Sequence, residues 1–182
     1  MNTIELVDYT RSIPQSMQMS VIVQKSPSTH PWVAYSYDVI GVVPAGDNSI
    51  DENESRIRLI HQENEIEKYL VNGLTLSLHV DECESYYHNL MSPNPGCFVV
   101  TGETQDNDEM PVPYLISLSF DEVHAYLEGG EDVHAVPLPK QLYQWLEAYI
   151  LTHYVATKKV KRKLNDWKQQ ADGKVKTTSD LP

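Results

Sequence analysis

LTLSLHVDECESYYHNLMS, residues 74–92, is the stretch that decides the fold class, because its periodicity changes within it. From Leu74 to Val80, apolar residues alternate with polar ones, the period of two that places one set of side chains on one face of a β-strand. From residue 81 the apolar side chains recur at helical spacing, and Pro93 ends that helix. A strand followed directly by a short helix predicts a mixed α+β domain.

Further apolar segments on both sides of this stretch have the composition of strands. They are rich in β-branched and aromatic residues and are separated by short polar or proline-containing links. Their ranges are 17–25, 32–44, 56–63, 96–102 and 112–119, and the strand that includes Leu74 to Val80 is expected within 65–80. Sequential strands with short links favour antiparallel pairing. The sequence therefore predicts one mostly antiparallel, partly barrel-like sheet of about six strands.

Two more helices are expected after the strands. Ser119 and Glu122 have the spacing of a capping box and predict a second short helix, which Gly129 and Gly130 would end. Pro139 suits the first turn of a long amphipathic C-terminal helix. Its apolar stripe has the spacing of one helix face and consists of Leu142, Trp145, Leu146, Tyr149, Ile150, His153 and Tyr154.

The charge distribution divides the chain. The net charge is −12, yet residues 1–157 hold 23 acidic and 6 basic residues, whereas residues 158–182 hold 3 acidic and 8 basic residues. We therefore predict an irregular lead at 1–15, a single α+β domain at 16–157 and a basic tail at 158–182. An acidic body would repel phosphates, so no nucleic acid partner is expected. The tail is expected to be a solvated helix end that could contact RNA, an anionic membrane or an acidic protein. Its basic residues are Lys158, Lys159, Lys161, Arg162 and Lys163.

The sequence predicts a cytoplasmic protein. The longest apolar run, residues 39–43, is far shorter than the roughly 20 residues that span a bilayer. The first residues have neither the basic nor the apolar region of a secretory signal. In that compartment Cys83 and Cys97 are expected to be reduced, buried and structural.

Motifs for known chemistries are absent from the sequence. It contains no glycine-rich phosphate loop, no G-x-S-x-G and no H-E-x-x-H. His79, Asp81 and His88 lie near one another in the chain, but a strand end and a helix would hold them apart, and ordinary surface histidines are the favoured interpretation. No catalytic residue, metal site or cofactor is predicted.

An excess of tyrosine points to a protein-binding surface. The chain has eleven tyrosines and two phenylalanines, and tyrosine is enriched at interfaces because one end is apolar and the other forms hydrogen bonds. The candidate contact residues lie on the first short helix and after the second. They are Glu84, Tyr86, Tyr87, His88 and Asn89, and then Glu128, Gly129, Gly130, Glu131 and Asp132.

Four segments carry a family resemblance. They are SVIVQKSPSTHPWVAYSYDVIGVVP (20–44), YLVNGLTLSLHVDECESYYHNLMSPNPGCFVV (69–100), SFDEVHAYLEGGEDVHAVPLPKQLYQWLEAYILTHY (119–154) and KKVKRK (158–163). Together they resemble a family of small bacterial proteins of unknown function. Their genes are typically encoded beside molybdenum- or tungsten-dependent formate dehydrogenases, and some members are labelled molybdopterin-guanine dinucleotide biosynthesis protein A.

The resemblance implies a context in formate oxidation. It suggests a non-catalytic accessory or assembly protein that contacts a formate dehydrogenase subunit or a maturation factor. One alternative is a protein that binds or processes a molybdopterin cofactor, although the first forty residues contain no glycine for a nucleotide loop. A further alternative is a peripheral membrane tether that uses the basic tail.

Overall fold

The structure is a computed structural model that describes residues 13–45, 55–102 and 109–154. Within these ranges the chain forms seven strands and three α-helices. In chain order they are β1 (Ser16–Pro27), β2 (Tyr35–Pro44), β3 (Ile57–Glu63), β4 (Ile66–Ser77), α1 (Cys83–Leu90), β5 (Gly96–Thr101), β6 (Pro113–Ser117), α2 (Phe120–Glu128), β7 (Asp132–Pro137) and α3 (Lys140–His153). A single 3-10 turn, Val80–Glu82, precedes α1. The α+β class is confirmed.

The strands form two antiparallel sheets. The large sheet has the order β2-β1-β4-β3, and the small sheet has the order β6-β5-β7. The prediction of one partly barrel-like sheet is wrong, and no closed barrel forms among the described residues. Helix α1 takes the chain away from β4, so the later strands pair with one another instead of extending the first sheet. Strand β7 was not among the strands predicted from the sequence, and it completes the small sheet by pairing with β5.

The large sheet buries one face. Val21, Val23, Val71 and Leu76 alternate along β1 and β4 and are fully buried against the rest of the core. The β3–β4 hairpin turns at Asn64, whose φ of 54° lies in the left-handed region that asparagine tolerates. The inner face of this sheet therefore forms one wall of the hydrophobic core.

The central strand of the small sheet, β5, is buried on both faces. Cys97 and Val99 belong to the core shared with the large sheet. Phe98 points to the opposite face, where its ring lies 5.1 Å from that of Phe120 on α2. Because every residue of β5 is buried, its residues from Cys97 to Val100 are continuously apolar rather than alternating.

Helix α3 completes the core with its predicted stripe. Leu142, Leu146 and Tyr149 are fully buried, and the indole nitrogen of Trp145 donates to the carbonyl oxygen of Pro14 at 2.8 Å. The helix ends at His153, because the next residue has an extended backbone.

Two predicted segments fall wholly or largely outside the described residues. These are the irregular lead, of which only residues 13–15 are described, and the basic tail with Lys158, Lys159, Lys161, Arg162 and Lys163. Among the described helices, none combines the length and apolarity needed to cross a membrane.

Candidate functional site

The side chain of Asn89 fixes α1 to the small sheet. Its amide nitrogen donates to the carbonyl oxygens of Gly96 at 2.8 Å and Leu118 at 2.9 Å, and its amide oxygen accepts from the Gly96 N–H at 3.0 Å. Asn89 is fully buried, so these bonds satisfy backbone groups that water cannot reach. They also determine which side of α1 faces solvent.

Tyr86 is a second predicted contact residue that lies in the interior. Its side chain is 1% exposed, and its hydroxyl accepts a hydrogen bond from the His79 N–H at 3.2 Å. Burial raises the pKa of the Tyr86 hydroxyl well above its usual value, which keeps it protonated. The surface that α1 presents to solvent therefore excludes both Tyr86 and Asn89.

The exposed side of α1 adjoins the end of α3, and we call the group Glu84, Tyr87, His88, Met91 and Tyr154 the α1–α3 surface. The Tyr87 ring stacks on Tyr154 with centroids 5.4 Å apart and planes 20° apart. The His88 ring meets Tyr87 edge-on at 5.8 Å, and His88 Nε2 lies 3.8 Å from a Glu84 carboxylate oxygen. Met91 follows His88 by three residues and is 62% exposed. These residues combine aromatic, aliphatic and charged contacts on one surface.

Two exposed apolar side chains, Met91 at 62% and Leu151 at 81%, were not predicted from the sequence as surface contacts. Tyr154 packs partly against the core, in agreement with its place in the predicted stripe, and its ring also stacks on Tyr87. Leu151 lies outside the apolar spacing of α3, and an apolar residue off the buried stripe is a signal that the sequence did contain.

A cluster of carboxylates lies where α1 and α2 begin, and we call it the acidic junction. Asp81, Glu82, Asp121 and Glu122 line a cavity of about 370 Å³ together with His79. The N-terminal ends of both helices meet here, since the Asp121 N–H donates to the Ser85 hydroxyl oxygen at 3.2 Å. Carboxylates are favoured at helix N-termini, where the backbone N–H groups carry partial positive charge.

Buried serines engage two of these carboxylates. The Ser119 hydroxyl accepts from the Glu122 N–H at 3.2 Å and donates to Glu82 Oε2 at 2.5 Å. Ser117 Oγ donates to Glu122 Oε2 at 2.6 Å and accepts from the Ser119 N–H at 3.0 Å. The predicted capping box is thus present in modified form, because Ser117 links the Glu122 side chain to the Ser119 N–H. These bonds give the acidic junction a structural role in joining the two helices.

No metal centre is evident in the described ranges. No group of three or more His, Cys, Asp or Glu side chains there has the arrangement that could hold a metal ion. His79 lines the acidic junction, whereas His88 lies on the α1–α3 surface, so the sequence neighbours considered above contribute to different places.

Both thiols are buried. Burial, and secondarily the charge of Asp81, raises the pKa of Cys83, and burial raises the pKa of Cys97 to about 12. The unionised thiol is therefore the stable form of each, which disfavours nucleophilic chemistry.

The second predicted contact segment lies at the far end of α2. Glu128 is the last residue of the helix, Gly129 caps it, and Gly130 has a φ of 88° that favours glycine. Glu131 is half-buried near Tyr114, and Asp132 begins β7. A nine-residue helix is about 13 Å long, so this segment lies well away from the α1–α2 junction.

The comparisons identify a family but no characterised relative. A model of the family described as "Protein of unknown function (DUF3305)" matches residues 18–163. No curated protein and no solved structure matches the chain. The matched range includes the α1–α3 surface, the acidic junction and the basic residues 158–163.

Proposed function

The chain belongs to the DUF3305 family, and on that premise we propose that it is a non-catalytic accessory protein that binds a protein partner through the α1–α3 surface. The observation that carries the proposal is the solvent-accessible tyrosine pair, Tyr87 and Tyr154, with Met91 exposed nearby in the chain. Buried tyrosines such as Tyr86 and Tyr149 are explained by packing, whereas Tyr87 is 38% exposed and lies on the same side of α1 as Met91.

The chemistry of this surface suits protein contact. Tyrosine supplies a large amphipathic area with few rotatable bonds, and stacking on Tyr154 already restricts Tyr87, so little side-chain entropy remains to be lost on binding. Methionine adapts to irregular apolar surfaces. A partner with an apolar pocket would bury the aromatic edge of Tyr87 together with Met91.

Charge favours a basic rim on the partner. Glu84 belongs to the α1–α3 surface, and Asp81 of the acidic junction lies just before α1. Complementary charges accelerate association and orient the two proteins. We further propose that the basic tail contributes to binding, because Lys158 follows Tyr154 by only four residues in the sequence.

The partner that we propose is a formate dehydrogenase subunit or one of its maturation factors. This choice rests on the family resemblance of the four segments and not on the geometry of the surface. The chain would then act by contact during assembly, cofactor insertion or stabilisation of that enzyme.

The test measures the affinity of the full chain for purified formate dehydrogenase components by equilibrium titration. Tyr87→Ala is expected to weaken binding by about tenfold or more, the cost of truncating an aromatic anchor. The matched control is Tyr114→Ala, which removes an exposed tyrosine from another ring pair, with Tyr126, and should change the affinity by less than about twofold. Equal effects of the two variants would contradict the use of the α1–α3 surface, and absence of binding would contradict the choice of partner.

The two alternatives have their own readouts. Titration with a molybdenum cofactor nucleotide tests a cofactor-binding role, and binding of the nucleotide without any binding of protein components would favour that role instead. Vesicles of anionic lipid, with chains that contain or lack residues 158–182, test the tether; equal binding of both chains would exclude the tail from membrane contact.

A further inference from the structure

The outer face of the large sheet carries apolar side chains among polar ones such as Ser20 and Gln24. An antiparallel sheet with one wet face typically alternates apolar inward and polar outward residues. Here Ile22 and Leu70 pair on the outward side of the two central strands. Ile40 and Val43 on β2 are 40% and 37% exposed. In the described ranges, α1, α3 and the small sheet pack with the inner face, and α2 lies beyond the small sheet.

In the part of the chain that the structure describes, no contact requires a glycine at Gly41 in the middle of β2. It pairs with Ile22 and so faces outward, and a Cβ added there meets nothing within 4 Å. Its φ lies outside the left-handed region, so the adjacent bulge does not require glycine. A glycine inside a strand often marks a place where another chain or ligand approaches closely.

Two residues of opposite charge lie on the outer face of the large sheet, one on each side of β1. Asp38 on β2 and Lys68 on β4 both pair with Gln24 on β1, so they are two strand spacings, about 10 Å, apart on the outer face. Among the described residues neither has an ion-pair partner within contact distance. The row is therefore negative on one side of β1 and positive on the other.

We propose that this outer face is an interface between two copies of the chain, related by a two-fold axis that runs parallel to β1 between the two facing sheets. This axis exchanges the β2 side of one copy with the β4 side of the other. Ile22 then packs on Ile22 of the second copy, and Leu70 enters the open space at Gly41 of the second copy. Asp38 of each copy faces Lys68 of the other.

The register makes the face self-complementary in both shape and charge. Gly41 and Leu70 both pair with Ile22 and therefore lie on opposite sides of β1. Asp38 and Lys68 lie on opposite sides of β1 in the same way, because both pair with Gln24. A two-fold interface requires such pairing, because the same surface must fit itself. The contact involves three strands, so its area is at the small end for stable dimers, and we expect dissociation in the micromolar range or weaker.

The first test uses sedimentation equilibrium on the full chain at concentrations up to about 1 mM, where even a 1 mM dissociation constant gives abundant dimer. Gly41→Val is expected to weaken the dimer by about tenfold or more, because the new side chain occupies the space for Leu70. The monomer should unfold at the same or a higher temperature, since valine favours a strand more than glycine does. A wild-type chain that stays monomeric, or a Gly41→Val dimer of unchanged affinity, would overturn the proposal.

The second test is a charge exchange. Asp38→Lys and Lys68→Asp should each weaken the dimer by about tenfold or more, because each change brings like charges together across the axis. The double variant should restore the affinity to within about threefold of the wild type. Glu147→Lys, an exposed site on α3, changes the net charge as Asp38→Lys does and should leave the dimer unchanged. Single variants without effect, or a double variant that remains weak, would refute this geometry.

Discussion

Replacing Asn89 with alanine should destabilise the chain strongly. The variant removes two donated bonds and one accepted bond, and it leaves the Gly96 N–H, the Gly96 carbonyl and the Leu118 carbonyl without that partner in a region closed to water. An unsatisfied buried group costs about 1–3 kcal/mol. Because carbonyls retain a second lone pair and the site can relax, we take the low end of the sum and expect a loss of about 3–5 kcal/mol.

The measurement is urea unfolding followed by far-ultraviolet circular dichroism, with the free energy of unfolding extrapolated to water. Asn72→Ala is the matched control, since this half-buried asparagine accepts one hydrogen bond, from the Ser20 hydroxyl at 2.7 Å. The control should lose about 0.5–1.5 kcal/mol, the usual net value of one such bond.

A loss below about 1 kcal/mol for Asn89→Ala, or a loss equal to that of the control, would refute the reasoning. It would mean that the three backbone groups find other partners when the amide is removed. The experiment also separates stability from recognition, because Asn89 was predicted from the sequence as a contact residue, and its side chain lies in the interior. Partner affinity measured on the folded fraction of the variant should stay within about twofold of the wild type.

Two further predictions concern the helix junction and the response to pH. Ser119→Ala should lower the free energy of unfolding by about 1–2 kcal/mol, because it removes the α2 N-cap and the hydrogen bonds of the Ser119 hydroxyl. Ser77→Ala, at an exposed position, is the control and should leave that free energy unchanged; thermal unfolding of both variants measures the difference. The Tyr69 hydroxyl, and then Lys25, hold the pKa of the Glu67 carboxyl below its ordinary value. The ionised Glu67 therefore stabilises the fold fully above the unfolded carboxyl pKa of about 4.3, and this stabilisation is lost as the pH falls through the lowered pKa. The melting temperature of Glu67→Gln should therefore lie below that of the wild type at neutral pH and converge with it in acid; a difference that persists unchanged in acid would contradict this assignment.

The positions of most elements could be read from local patterns. The period of two in β4, the helical spacing of α1 and the stripe of α3 all depend on residues within four positions of one another, and the structure has each element near its predicted range. Strand β7 was missed because DVHAVP is short, begins two residues after a pair of glycines and ends in proline. Its strand conformation depends on pairing with β5, which no local pattern reports.

The candidate site could be predicted only in part from the sequence. Tyr86, Tyr87, His88 and Asn89 are consecutive, and successive helix positions point about 100° apart, so they cannot share one face. From the sequence, all four were predicted to be contact residues. The fold buries Tyr86 and Asn89 and leaves Tyr87 and His88 exposed, because the buried side of α1 is selected by Gly96 and Leu118 from other elements.

The sequence by itself determined the α+β class, the approximate helices and strands and the apolar stripe of α3, because these features follow from backbone geometry over a few residues. Only the tertiary structure decided that the strands divide into two sheets and that Asp38 and Lys68 lie on either side of Gln24. Such features depend on pairing between residues that are far apart in the chain. The free energy of that pairing comes from burial and hydrogen bonds between whole elements, and one strand's own residues do not specify its neighbours.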